Sequence, residues 1–148
     1  MGPLIDVLGA RVYLDANIIV YAVEGFEAYA EPINELLGGM DSGKLVAFSS
    51  AMTLAEVLVK PKQDHDAYLE RAFKAFLRSS RAFELLPVTI DVLEKAAELR
   101  ATTKLKLPDA IHVATAVAWG ATSLLTNDRA LRMAPDCNVV VLSEAHSR

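Results

Sequence analysis

Five short, mostly apolar runs are spread along this chain, with helix-like stretches between them. They are Val12–Leu14, Leu45–Phe48, Glu84–Val88, Ser123–Thr126 and Val139–Leu142. Strands that alternate with helices return to the same edge of a sheet by crossovers. They therefore build right-handed βαβ units and a mainly parallel sheet. The first run fits best: Val12-Tyr13-Leu14 is continuous and uncharged, as a strand buried on both faces must be. The expected fold class is α/β, a single domain with a central, mainly parallel five-stranded sheet flanked by helices.

The stretches between the runs carry their own punctuation. Ile18–Val23 reads as a short helix, capped by Asp15 or Asn17. Glu27–Met40 reads as a second helix, with Ile33, Leu36, Leu37 and Met40 at helical spacing and Gly38-Gly39 and Ser42-Gly43 marking its end. Ser49 or Ser50 caps the next helix, whose apolar face is Leu54, Val57 and Leu58, and Pro61 stops it. Asp66 opens a long helix to about Arg81, and Thr89 caps another to about Thr103. Pro108 suits the first turn of a helix ending near Trp119. Asn127 is expected to cap a short helix, Asp128–Met133, and the last six residues are expected to fray.

Composition bounds what such a sheet serves. The chain has 148 residues, 53% of them hydrophobic, which suits one ordered domain over residues 1–148. Its net charge of −4 argues against indiscriminate nucleic-acid binding. Residues 57–107 nevertheless carry 10 basic and 7 acidic side chains, so the middle third is basic within an acidic chain. The lone Cys137 allows no internal disulfide, and residues 1–10 lack the basic start of a signal peptide. The expectation is a cytoplasmic protein without a membrane span.

Four carboxylates stand out by position. Asp15 ends the first strand, Glu56 lies in the helix after the second, Asp109 lies in the first turn of the helix opened by Pro108, and Asp128 follows the fourth strand. In a parallel sheet all strand carboxyl ends share one edge. A strand order of 3-2-1-4-5 makes strands one and four neighbours and puts the topological switch point between Asp15 and Asp128. Clustered carboxylates repel, by roughly 1 kcal/mol per pair at 4 Å in water and about 4 at an effective dielectric near 20. A divalent cation reverses that sign, and oxygen ligands without His or Cys suit Mg²⁺ or Mn²⁺. Such ions support phosphodiester hydrolysis. Each acid also has a structural reading. Asp15 can be only a cap, Asp109 favours a helix N-terminus anyway, Asp128 can complete a cap with Asn127, and Glu56 can be an exposed helical residue.

The segments Val12–Ile19, Ser50–Val57, Leu107–Ala116 and Leu125–Arg129 together resemble the PIN-domain ribonucleases, in that family's order and over nearly the whole chain. The chain's length makes it similar to the VapC-like toxins of toxin–antitoxin pairs. The resemblance implies metal ligation by Asp15, Glu56, Asp109 and Asp128, with Asn17 and Thr126 helping to orient the acids or the metal's water. It also implies Mg²⁺- or Mn²⁺-dependent cleavage of RNA, a homodimer, and inhibition by a cognate antitoxin. His112 departs from the small or apolar residue often found at its place, and either faces the site or hydrogen-bonds in the core. Leu131 stands where many relatives carry Phe. Arg71, Lys74, Arg78 and Arg81 fall at i, i+3, i+7 and i+10 of the expected long helix. They form one stripe that either holds an RNA backbone or is simply solvated.

Rival readings follow from the same residues. A degenerate site would leave an RNA-binding scaffold, and an intact one would equally serve a housekeeping RNA-processing nuclease. A dehalogenase-like phosphatase wants a second Asp two residues after the first, where this chain has Asn17. A receiver domain wants a phosphoacceptor Asp after strand three, and Asp91 reads better as part of a helix start.

Overall fold

The computed structural model describes residues 3–146. Its elements run α1 (Pro3–Leu8), β1 (Arg11–Leu14), α2 (Ala16–Glu24), α3 (Ala30–Asp41), β2 (Val46–Ser50), α4 (Ala51–Gln63), α5 (Ala67–Phe76), β3 (Phe83–Leu86), α6 (Ile90–Thr102), α7 (Leu107–Ala118), β4 (Ser123–Thr126), β5 (Val139–Val141) and α8 (Leu142–His146). Single turns of 3₁₀ helix, Glu27–Tyr29 and Arg129–Met133, precede α3 and follow β4. The five strands form one sheet in the order β3-β2-β1-β4-β5, with every pairing parallel. This is the expected single α/β domain.

Alternation along the strands divides the core into two layers. Val12 and Leu14 face a cluster with Leu8, Ile18, Ile33, Leu36, Phe73 and Leu125, under α1–α5 and α8. Tyr13 points the other way, to Phe48, Val92, Ala96, Leu99, Val113 and Leu124 beneath α6 and α7. Central strands buried on both faces explain why the runs are apolar throughout.

Several local expectations are corrected. Residues 3–8 form a helix too short to show a period, and α1 packs on α3. That contact explains Gly39, which does not end α3: a Cβ there would meet Ile5 Cδ1 at 2.6 Å. The expected helix from Glu27 is a 3₁₀ turn followed by α3. Pro61 lies inside α4. Its missing amide costs one helical bond, but Pro61 is buried, and Lys60 and Lys62 suit the negative end of the helix. α5 stops at Phe76 because Leu77 turns into the core and Ser80 donates its amide to the Phe83 carbonyl at 2.7 Å. Residues 143–146, expected to fray, belong to α8, which takes Leu142 from the expected end of the fifth strand. Residues 147–148 of that expectation lie outside the described ones.

Candidate active site

The carboxyl edge of the sheet is where β1 and β4 part company. Asp15 is the first residue beyond β1, and its amide still pairs with the Leu125 carbonyl of β4 at 3.0 Å. Its extended backbone lets Oδ1 accept from the Ala16 amide at 2.8 Å, so Asp15 caps α2. The same carboxylate is 6% exposed and has a second task on its other oxygen. Oδ2 accepts the Thr126 hydroxyl at 2.7 Å and the Asn17 amide at 3.4 Å. Asn17 Nδ2 also donates to Thr126 Oγ1 at 3.4 Å, and Asn17 Oδ1 accepts the Asn127 amide at 3.2 Å. Asn17 and Thr126 thus sit against Asp15.

Asp128 follows β4 and is exposed. It is itself the cap of the 3₁₀ turn, accepting the Ala130 amide at 2.9 Å, and so takes the role expected of Asn127. Asn127 instead donates to the Tyr21 hydroxyl and accepts the Ser143 amide, tying β4 to α2 and α8. The Asp128 amide donates to Thr126 Oγ1 at 3.0 Å, so one hydroxyl links the loops carrying Asp15 and Asp128.

Asp109 lies in the first turn of α7, after Pro108. Burial lifts its carboxyl above the usual range, and the charges of Asp15, Asp128 and Glu56 add to that rise against the opposing pull of His112. Its field therefore joins all four acids electrostatically. Glu56 projects from α4, one third exposed, and its Oε1 meets His112 Nε2 at 2.7 Å. The structure answers the question left open for His112: it is 1% exposed, yet it reaches the acids, with Asp15 Oδ1 3.6 Å from the same nitrogen. Burial disfavours a charged ring. The hydrogen bond to Glu56 and the charges of Asp15, Glu56 and Asp109 outweigh it and raise the His112 pKa above its ordinary value. Its other nitrogen, Nδ1, lies 2.6 Å from the Tyr13 hydroxyl.

The donor set is hard oxygen whose mutual repulsion His112 only partly offsets, which fits a divalent cation of the Mg²⁺ type. Among the described residues, no three His, Cys, Asp or Glu side chains are drawn in tightly enough to grip one ion. The chemistry of the site fits the ion, then, while Glu56 is occupied by His112.

The basic stripe does not survive as one feature. Arg71 and Lys74 are on α5, but Arg78 and Arg81 lie beyond its end. Lys74 is paired with Glu70 at 2.9 Å, and Lys62 with the same carboxylate at 3.1 Å. Arg81 lines a cavity of about 440 Å³ with Ser42, Gly43 and Val46, at the strand-start edge opposite the acids. Among the described residues, no helix is long and apolar enough to cross a membrane.

Comparison with known proteins is consistent with this geometry. A family described as the PIN domain matches residues 12–136. A search of curated proteins finds no match. Among solved structures, the chain is similar to VapBC2 of Rickettsia felis bound to a promoter DNA fragment, with a TM-score of 0.72, 19% identity, and coverage of 88% of this chain and 98% of that one. It is similar to a toxin–antitoxin complex of Klebsiella pneumoniae, with a TM-score of 0.66, 26% identity, and coverage of 88% and 97%. It is also similar to VapC20 of Mycobacterium tuberculosis, a toxin that cleaves the sarcin–ricin loop, with a TM-score of 0.61, 20% identity, and coverage of 76% and 86%.

Proposed function

The chain belongs to the PIN-domain family, and we propose that it is a Mg²⁺- or Mn²⁺-dependent endoribonuclease, the toxin of a toxin–antitoxin pair. The observation that carries this reading is the gathering of acids at the switch point of the sheet: one Thr126 hydroxyl joins the loops of Asp15 and Asp128, and His112 Nε2 lies 2.7 Å from Glu56 and 3.6 Å from Asp15, with the Asp109 carboxyl raised beside them. Asp15, Glu56, Asp109 and Asp128 would hold the ion. Once bound, it would supply Lewis acidity, making a water molecule nucleophilic and offsetting charge on the phosphoryl oxygens.

The side chains have separate tasks in this reading. Thr126 and Asn17 fix the Asp15 carboxylate, so that it meets its ligand without reorganising. Asp109, in the first turn of α7, and Asp128, after β4, extend the anionic edge. Hydrolysis breaks the bond from phosphorus to the 3′-oxygen. Water adds its oxygen to phosphorus in line, and the leaving 3′-oxygen takes up a proton. The products are a 5′-phosphate and a 3′-hydroxyl, and no side chain becomes covalently attached.

The partners are an RNA substrate, a cognate antitoxin and a second copy of the chain as a homodimer. The toxin assignment is supported by the Klebsiella and Rickettsia complexes, and RNA as the substrate by the printed activity of VapC20. Arg71 remains a candidate RNA contact on an exposed helical face.

The test is cleavage of a mixed pool of single-stranded and transfer RNA in Mg²⁺, Mn²⁺ or chelator, comparing the wild type with Asp15→Asn and Asp109→Asn. Metal-dependent cleavage that disappears in both variants supports the reading. A wild type that cuts nothing, or variants that cut equally well, would sink it.

A further inference from the structure

A buried hydrogen-bond chain enters the acidic edge from the opposite core layer. It begins at Tyr13, which is fully buried on the α6–α7 face of the sheet. The Tyr13 hydroxyl meets His112 Nδ1 at 2.6 Å, and His112 Nε2 meets Glu56 Oε1 at 2.7 Å. A carboxylate can only accept, so a His112–Glu56 bond to the carboxylate places the proton on Nε2. In the neutral ring Nδ1 is then the acceptor, and the Tyr13 hydroxyl donates to it. In that neutral form the phenol fixes the tautomer that points an N–H at Glu56, and in the charged ring Nε2 donates in any case while the Tyr13 hydroxyl accepts from Nδ1.

Geometry explains why that hold is needed. Asp15 is buried and fixed by three donors, Ala16, Thr126 and Asn17. Among the described residues, Glu56 has His112 as its one side-chain partner, and it is one third exposed on α4. A flexible glutamate at a solvated edge loses rotamer freedom when it is held in one place. His112, 1% exposed and rigidly packed, provides that restraint within 3.6 Å of Asp15.

We propose that His112 is a positioning residue: oriented by Tyr13, it holds the Glu56 carboxylate beside Asp15 and so preorganises the cation site. The inference rests on the metal-site reading given above. His112 acts through Glu56 and is not itself a ligand.

The experiment measures Mn²⁺ binding by calorimetry, without RNA, on the full chain. His112→Leu is expected to weaken binding about 10–100-fold, the usual cost of losing a partner that orients a ligand. His112→Gln, whose amide can still donate to Glu56, is expected to bind more tightly than His112→Leu. Tyr13→Phe is expected to weaken binding in the same direction, by less. In a Glu56→Ala background, His112→Leu is expected to cost nothing further. A general structural defect would persist in that background. The double variant His112→Leu/Tyr13→Phe removes the buried hydroxyl that loses its His112 partner in the single variant, and circular dichroism checks that each variant folds.

The proposal is overturned if folded His112→Leu binds Mn²⁺ as the wild type does, if Gln is no better than Leu, or if the loss is unchanged without Glu56. Failure of the wild type to bind Mn²⁺ overturns the metal-site reading instead. The hold on Glu56 is then decided by NMR of the metal-free protein. A slowly exchanging Nε2 proton that shifts in Glu56→Ala keeps it, and absence of that proton removes it.

Discussion

Thr126 donates its hydroxyl to Asp15 across the seam between β4 and β1, at 2.7 Å and out of contact with water. The same oxygen receives the Asp128 amide, so it is donor to one acidic loop and acceptor from the other. Thr126→Val keeps the shape and removes these bonds together with the longer one from Asn17 Nδ2. A buried polar group left without its partner costs about 1–3 kcal/mol. Urea unfolding of Thr126→Val should show a loss of that size, with cleavage reduced as well, whereas Thr126→Ser should retain most of both. Wild-type stability in Thr126→Val would mean that water replaces the hydroxyl at no cost.

Asp109 gives a test of the site's electrostatics that needs no substrate. Its carboxyl holds its proton above the ordinary range, because of burial and then the charges of Asp15 and Asp128. The folded state therefore binds that proton more tightly than the unfolded chain does. Its contribution is fully favourable below the ordinary carboxylate pKa and is lost as pH rises through the raised one. At neutral pH the ionised group opposes folding in the absence of metal. Asp109→Asn should then melt higher than the wild type in chelator. Added Mg²⁺ should raise the wild-type melting point, by about 2.7 kcal/mol of stability at a hundredfold excess over the dissociation constant, and should do much less for the variant. Equal melting in chelator would contradict the crowding of charge.

Cys137 should be a sluggish thiol. Burial pushes its pKa up to about 11, and a thiolate is needed for attack. Labelling by a disulfide reagent at pH 8 should be slow in the native protein and fast in urea. The same shift predicts a stability change. Between the ordinary thiol value and about 11 the unfolded chain ionises and the folded one does not, so stability falls as pH rises through that window. Rapid native labelling at pH 8 would show that the thiol is more open than its surroundings indicate.

Arg81 and Arg71 should behave differently towards RNA. Arg81 sits at the strand-start edge, away from the acids, and Arg71 is on the exposed side of α5. Losing one phosphate contact to single-stranded RNA lowers the salt slope of binding by about 0.7. Arg81→Glu should leave the slope unchanged, measured by fluorescence anisotropy across a salt series. An effect of Arg81→Glu as large as that of Arg71→Glu would place the RNA track on both edges.

Much of the architecture was readable because parallel sheets impose simple rules. Apolar runs such as Val12–Leu14 and Ser123–Thr126 located the central strands, and the carboxyl-edge rule brought Asp15 and Asp128 to one seam. Caps at Ser50, Asp66 and Thr89 were legible because their side chains bond amides two or three residues away. What escaped was either short or non-local. α1 has too few residues to display a period. The extended stripe through Arg78 and Arg81 assumed that helical spacing continues wherever it fits, but Leu77 has a core site that ends the helix. The link from His112 reaches 99 residues to Tyr13 and 56 to Glu56, and no spacing rule encodes it. A polar residue within the otherwise apolar Ala110–Ala116 segment of α7 was the available signal, and by itself it fits a core histidine equally well.

The seam between β1 and β4 also sets an order of events during synthesis. Asp15 is made early, but its hydroxyl partner lies 111 residues later. Until β4 emerges, β1 has β2 on one side and an open edge on the other. A nascent chain stopped short of Thr126 lacks that partner and Asp128 alike, so a prematurely released fragment carries an incomplete set of acids. If the chain is the ribonuclease proposed above, drawing Asp15 and Asp128 from stretches so far apart means that the site is completed only when synthesis of these 148 residues is nearly over.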